Sequence, residues 1–123
     1  KRLRTKRETH HTSARGGYRS DIGIYVRSGW EANFARILNL HGKRWLYEPR
    51  SFILGKGLSY TPDFYLTDDN AYVELKGRMN ERSIEQLRLM NELYPDVVLI
   101  LIEGKEYNDL RQEYKTLVKW EGK

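Results

Sequence analysis

The chain has 123 residues, 39% of them hydrophobic and 32% charged, with a net charge of +5. That length suits one hydrophobic core, and with no apolar run near the ~18 residues of a membrane span, neither a membrane segment nor a signal-peptide core is expected. The absence of Cys removes disulfides, thiolate metal sites and thiol catalysis together, and fits a reducing cytoplasmic compartment.

The charge is unevenly placed. Residues 1–20 carry seven basic side chains, Lys1, Arg2, Arg4, Lys6, Arg7, Arg15 and Arg19, against the single acid Glu8, a net of +6, whereas the remaining 103 residues carry 15 basic and 16 acidic groups. A near-neutral body behind a basic arm is the pattern of a segment that releases counterions from a phosphate backbone. The plainer alternative is a solubilising tail. Gly16, Gly17, Tyr18 and Arg19 suit a chain that follows phosphates and stacks a base. Residues 1–20 are therefore expected to form a flexible DNA-binding arm, and residues 21–123 a single domain.

Residues 22–26 alternate weakly and predict a short strand. Ser28 can cap a helix, with Glu31 three residues later. Trp30, Phe34, Ile37, Leu38 and His41 then recur at helical spacing up to Gly42, a natural stop. Residues 45–54 read as a strand interrupted by Pro49. Gly55-Lys56-Gly57 turns the chain into a second strand, 58–66. Thr67-Asp68-Asp69-Asn70 turns it again into a third, 71–76, because Asp and Asn bond nearby backbone and tolerate unusual dihedrals. Together these predict a three-stranded meander.

Asn80 or Ser83 opens a second helix with Ile84, Leu87, Met90, Leu93 and Tyr94 on one face, ended by Pro95-Asp96. The unbroken apolar run 97–102 predicts a strand covered on both faces. It is expected to run parallel to a meander strand, with the second helix as the crossover. Gly104 breaks the run, and residues 107–120 predict a last helix with Leu110, Tyr114, Leu117 and Val118 inward. The order α-β-β-β-α-β-α predicts an α/β (α+β) fold with a mixed central sheet flanked by helices.

Chemistry concentrates in Tyr60-Thr61-Pro62-Asp63-Phe64 and Glu74-Leu75-Lys76. Alternate strand residues share a face, so Glu74 and Lys76 project together, and pairing of the two strands brings Asp63 towards them. Two carboxylates and an ammonium at the end of a hairpin can hold a hard divalent cation against a phosphate. Asp63 and Glu74 supply the oxygens, with the Leu75 carbonyl a further one. Lys76, kept protonated by two acids, suits electrostatic support of the transition state better than general-base duty.

Pro62-Asp63 and Glu74-Leu75-Lys76, set in the α-β-β-β-α-β order, resemble the signature of the PD-(D/E)XK phosphodiesterase superfamily, whose core is that of restriction endonucleases. The stretch from Tyr47-Glu48-Pro49 through Phe64 is also similar to the nuclease subunit of cut-and-paste transposons and to related phage endonucleases. The likeness spans roughly residues 20–103. It implies a Mg²⁺-dependent DNA endonuclease, with Mn²⁺ as a substitute, working inside a bacterial or phage-infected cell. It further implies that Glu31 on the first helix completes the metal site with Asp63, Glu74 and Leu75, with Asp63, Glu74, Lys76 and Glu31 as the catalytic set. One departure stands out: the exonuclease branch carries a glutamine followed four residues later by tyrosine, and here Gln86 is followed by Met90.

Each reading has a plainer rival. Pro62-Asp63 can be a strand-entry turn, Glu74 and Lys76 an exposed ion pair, and Glu31 the partner of Ser28 in a capping box. Glu48 suits an outer contact of the site or a solvent-facing strand position equally. Arg78 and Arg82 can clamp a phosphate or merely begin a solvated helix. His10 and His11 lack further ligands at metal spacing. Gly23-Ile24-Tyr25 lacks the second tripeptide that a nuclease named for it needs.

One site cuts one strand, so a homodimer is expected for a double-strand break. A basic arm grips backbone more than it reads bases, so the expectation is modest sequence preference, recognition of DNA structure, or a partner protein that supplies targeting. A Holliday-junction resolvase and a non-catalytic nucleic-acid-binding module stand as the alternatives, and RNA remains open as a substrate.

Overall fold

The computed structural model describes residues 15–122. Their contacts divide into two compact units, the first made of the described residues up to Gly42 with those from Leu110 onward, the second of Lys43–Asp109. Most of the basic arm, including Lys1, Arg2, Arg4, Lys6 and Arg7, lies outside the described residues, as do His10 and His11.

The first unit opens with a hairpin of β1 (Gly17–Arg19) and β2 (Ile24–Val26). They pair antiparallel with Tyr18 opposite Tyr25. The expected strand at 22–26 therefore begins at Ile24, and its partner comes from residues assigned to the arm. Helix α1 (Gly29–Leu40) follows, capped by Ser28, whose hydroxyl accepts from the Glu31 N–H at 3.3 Å. Gly42, at φ +68°, ends it with the left-handed turn that glycine adopts without a Cβ penalty.

The tail returns to this unit. Asn33 Nδ2 donates to the Glu121 carbonyl and Asn33 Oδ1 accepts the Glu121 N–H, at 2.8 and 3.0 Å. The buried Arg36 pairs with Asp21 at 2.7 Å and with Glu121 at 2.8 Å.

The second unit is built on a four-stranded mixed sheet. Its strands are β3 (Trp45–Tyr47), β6 (Phe64–Leu66), β7 (Ala71–Lys76) and β8 (Val98–Glu103), in the order β3-β6-β7-β8; β4 (Phe52–Gly55) and β5 (Leu58–Tyr60) form a separate hairpin. The runs 45–54 and 58–66, expected as two whole strands of a meander, are each broken in two. The reason is a pair of prolines. Trp45, Leu46 and Tyr47 face Leu66, Tyr65 and Phe64, and continuing that register sets Pro49 opposite Pro62. Neither can donate a backbone N–H, so the ladder fails on both arms at one level. Glu48, at φ +47°, turns the chain out of the sheet there. Beyond the break the arms pair again as β4 and β5, with Phe52 opposite Tyr60.

The turn at 67–70 forms as expected between Leu66 and Ala71. Asn70 takes a positive φ, Lys43 pairs with Asp69 at 3.1 Å, and Arg44 pairs with Asp68. Helix α2 (Glu81–Leu93) is capped by Asn80, which accepts from the Ser83 N–H at 2.8 Å. This helix packs on the β4–β5 hairpin: Phe52, Leu54, Tyr60, Tyr72 and Met90 form a buried cluster, with Leu58, Leu87, Tyr94 and Leu99 around it. Gln86 donates to the Ser59 carbonyl at 2.9 Å, and Met90 fills the core where the exonuclease pattern has tyrosine.

Strand β8 runs parallel to β7, with Ala71 opposite Val98 and Lys76 opposite Glu103. The expected cover on both faces is not what forms. Strand β8 lies at the end of the sheet, and Val98 and Ile100, which share a face, are 53% and 43% exposed. Helix α3 spans Gly104–Tyr114, starting earlier and ending sooner than the periodicity over 107–120 suggested. Glu106 explains the start, since its carboxylate accepts the Glu103 N–H at 3.0 Å and caps the first turn. Among the described residues no helix is long and apolar enough to cross a membrane.

Candidate functional site

The break in the hairpin is what creates the site. Asp63 stands at the level where β6 leaves the ladder, between Pro62 and Phe64, both fully buried. Phe64 is clasped edge-on by Trp45 and Tyr47, with ring centroids 5.4 and 5.5 Å away. The Asp63 carbonyl accepts the Glu48 N–H at 2.9 Å. With its backbone held on both sides, Asp63 aims its carboxylate across the gap at β7. There Asp63 Oδ2 accepts the Leu75 N–H at 2.8 Å, replacing the strand partner that β6 no longer supplies.

Glu74 lies on the same part of β7, buried, with Lys76 Nζ 3.6 Å from its Oε2. Lys76 is 27% exposed against 8% for Glu74, so solvent reaches the cluster from the lysine side, where Gly77 and Arg78 are exposed. Burial pushes the Glu74 carboxyl above its ordinary value; Lys76, the Tyr60 hydroxyl and the Asp63 backbone N–H act against that rise without cancelling it. The exposed ion pair considered above is therefore not what forms, since the carboxylate is enclosed.

Two atoms here lack a partner. Glu74 Oε1 and the Tyr60 hydroxyl are both buried without a hydrogen bond, although the two side chains influence each other's ionisation. Buried polar groups are ordinarily satisfied, so a bare acceptor oxygen beside a bare donor marks a carboxylate whose contacts are incomplete. Among the described residues no three His, Asp or Glu side chains cluster into a metal cage. Two carboxylates are nevertheless the complement that Mg²⁺ uses when it keeps several waters and a substrate phosphate. The donor set fits the ion.

Comparison with protein-family models, curated proteins and solved structures gave no match.

The other candidate residues divide. Glu31 belongs to the first unit, where its Oε1 accepts the Arg27 N–H at 2.9 Å and its own N–H meets Ser28. The local helix-start role is thus met there, though the back-bond goes to Arg27 rather than to Ser28. Arg19 is committed to an internal contact: its Nη2 lies 2.7 Å from Glu121 Oε1 and donates to the Arg15 carbonyl. Arg15 is half-buried, and Arg78 and Arg82 are exposed beyond β7. Tyr18 is exposed on β1 beside the exposed Tyr25 of β2, a pairing that only the hairpin reveals. An apolar cavity in the second unit, about 220 Å³ between Leu87, Met90, Tyr94 and Leu99, contains none of the acids.

The sequence does not single out Tyr60. The available signal was a tyrosine, rather than phenylalanine, at a buried strand position three residues before Asp63.

Proposed function

We propose that this chain is a metal-dependent phosphodiesterase, a DNA endonuclease built on a restriction-endonuclease-like core of the PD-(D/E)XK kind. What supports the reading is the meeting of Asp63, Glu74 and Lys76 at one corner of a mixed sheet, with a bare carboxylate oxygen among them. Asp63 and Glu74 would hold Mg²⁺ or Mn²⁺, with the Leu75 carbonyl as a further proposed contact. Such an ion neutralises the scissile phosphate and lowers the pKa of a bound water.

The chain's own groups do the rest. Asp63, anchored through Leu75, keeps its carboxylate in one orientation as substrate arrives. Lys76, on the solvent side, meets the phosphate first and stabilises negative charge gathering on its oxygens in the transition state. Its ammonium also offsets the charge of Glu74, which burial would otherwise drive towards protonation. Arg78 grips a neighbouring phosphate. Lys1, Arg2, Arg4, Lys6, Arg7 and Arg15 supply salt-dependent affinity, and Arg19, held by Glu121, contributes to the hairpin instead. A homodimer would cut both strands, and a partner protein would supply the target.

Plasmid, linear duplex and four-way-junction DNA, incubated with Mg²⁺, Mn²⁺ or chelator, test the reading. Cleavage that requires metal and favours neither form of duplex supports the endonuclease; strong preference for the junction makes the chain a resolvase. Tight binding with no cleavage of any substrate leaves only a binding module.

A further inference from the structure

Tyr60 ends β5 in the middle of the apolar cluster with Phe52, Leu54, Tyr72 and Met90. A phenylalanine would fill that place with the same ring and no polar atom. The hydroxyl instead sits buried without a hydrogen bond, beside Glu74, whose Oε1 is buried and equally bare. An unpaired donor next to an unpaired acceptor opposes folding, because both groups lost their water and neither regained a partner. Packing alone gives no reason to keep it. A site that becomes complete only when loaded does.

We infer that Tyr60 is a positioning residue: its hydroxyl is the donor that fixes the Glu74 carboxylate in the orientation that receives a divalent cation. The inference rests on the metal-site reading of Asp63 and Glu74. A carboxylate that binds metal through one oxygen is commonly oriented by a hydrogen bond to the other, and loss of such a supporting partner typically lowers metal affinity about 10–100-fold. The buried surroundings strengthen the effect, since no water competes for the phenol. Lys76 cannot substitute, because it approaches Glu74 from the Oε2 side at 3.6 Å.

The test uses the whole chain with MnCl₂ as the probe, reading bound ion from the loss of the free Mn²⁺ electron-spin-resonance signal. Thermal melting without metal serves as the second measurement. Tyr60→Phe should melt at or above the wild-type temperature and bind Mn²⁺ at least tenfold more weakly, and Glu74→Gln should bind it more weakly still. If Tyr60→Phe binds Mn²⁺ like the wild type while Glu74→Gln does not, the hydroxyl positions nothing, and the metal site stands without it. If Tyr60→Phe melts well below the wild type, the hydroxyl is a folding contact and the inference is overturned. If the wild type and Glu74→Gln bind Mn²⁺ alike, the metal site itself is lost, and the role of Tyr60 with it.

Discussion

Replacing Asp63 separates its structural bond from its chemistry. In Asp63→Ala the buried Leu75 N–H loses the acceptor Oδ2, which lies at 2.8 Å. A hydrogen bond to a charged group contributes about 1.5–3 kcal/mol, and leaving the buried donor bare adds to the loss. Removing one of two neighbouring carboxylates relieves some repulsion, which offsets part of it. The balance is a destabilisation of about 2 kcal/mol, or a fall in melting temperature of about 8 °C for a chain of this size. Asp63→Asn keeps an oxygen that can accept from Leu75 and removes the charge, so its cost should stay below about 1 kcal/mol. Thermal melts followed by near-ultraviolet circular dichroism, alongside a cleavage assay, read both effects. The reasoning predicts that both variants are inactive and only alanine melts early. An alanine variant as stable as the wild type, or an asparagine variant as unstable as alanine, would refute it.

Further expectations follow from the same geometry. Burial holds the Glu74 carboxyl above its ordinary value of 4.5, so protonated Glu74 favours the fold below that pH, and the benefit is lost as pH rises through the folded value. Glu74→Gln does not titrate, so its stability relative to the wild type should increase as pH rises above 4.5; a flat or falling difference in urea melts counts against an enclosed carboxylate. If the proposed homodimer forms through the exposed row of β8, Ile100→Lys there should leave the melting temperature nearly unchanged, within about 0.5 kcal/mol, while lowering self-association in sedimentation. Self-association that is absent, or unaltered by the substitution, would rule out that interface. Tyr18→Ala with Tyr25→Ala should weaken binding of single-stranded oligonucleotides about tenfold, since stacking on one base contributes about 1–3 kcal/mol. Equal affinity in fluorescence anisotropy would leave the pair as a hairpin contact.

Much of this architecture was legible locally. Ser28, Gly42, Asn80 and the 67–70 turn act through atoms within a few residues of themselves, so their signals survive without knowledge of the fold. The broken strands were harder to read. Alternation along 45–54 and 58–66 continues through Pro49 and Pro62, and only the cross-strand register shows that the two prolines oppose each other. Strand β8 misled for a related reason: an apolar run does not reveal whether its strand lies inside the sheet or at its end.

The long-range polar contacts were invisible to any local pattern, with Glu121 lying 85 residues beyond Arg36 and 102 beyond Arg19. Asp63, Glu74 and Lys76 were readable because strand geometry brings them together once the turn is known. Tyr60 was not, because the missing partner of its hydroxyl is a property of packing.

The most direct test is the rate at which wild type and Lys76→Ala nick supercoiled plasmid in Mg²⁺, with Asp63→Asn and a chelator control alongside. The account predicts metal-dependent nicking by the wild type, a loss of about 10²–10³-fold in Lys76→Ala from the missing charge stabilisation, and none in Asp63→Asn or with chelator. Nicking that survives in Asp63→Asn and Lys76→Ala, or proceeds unchanged with chelator, would contradict it.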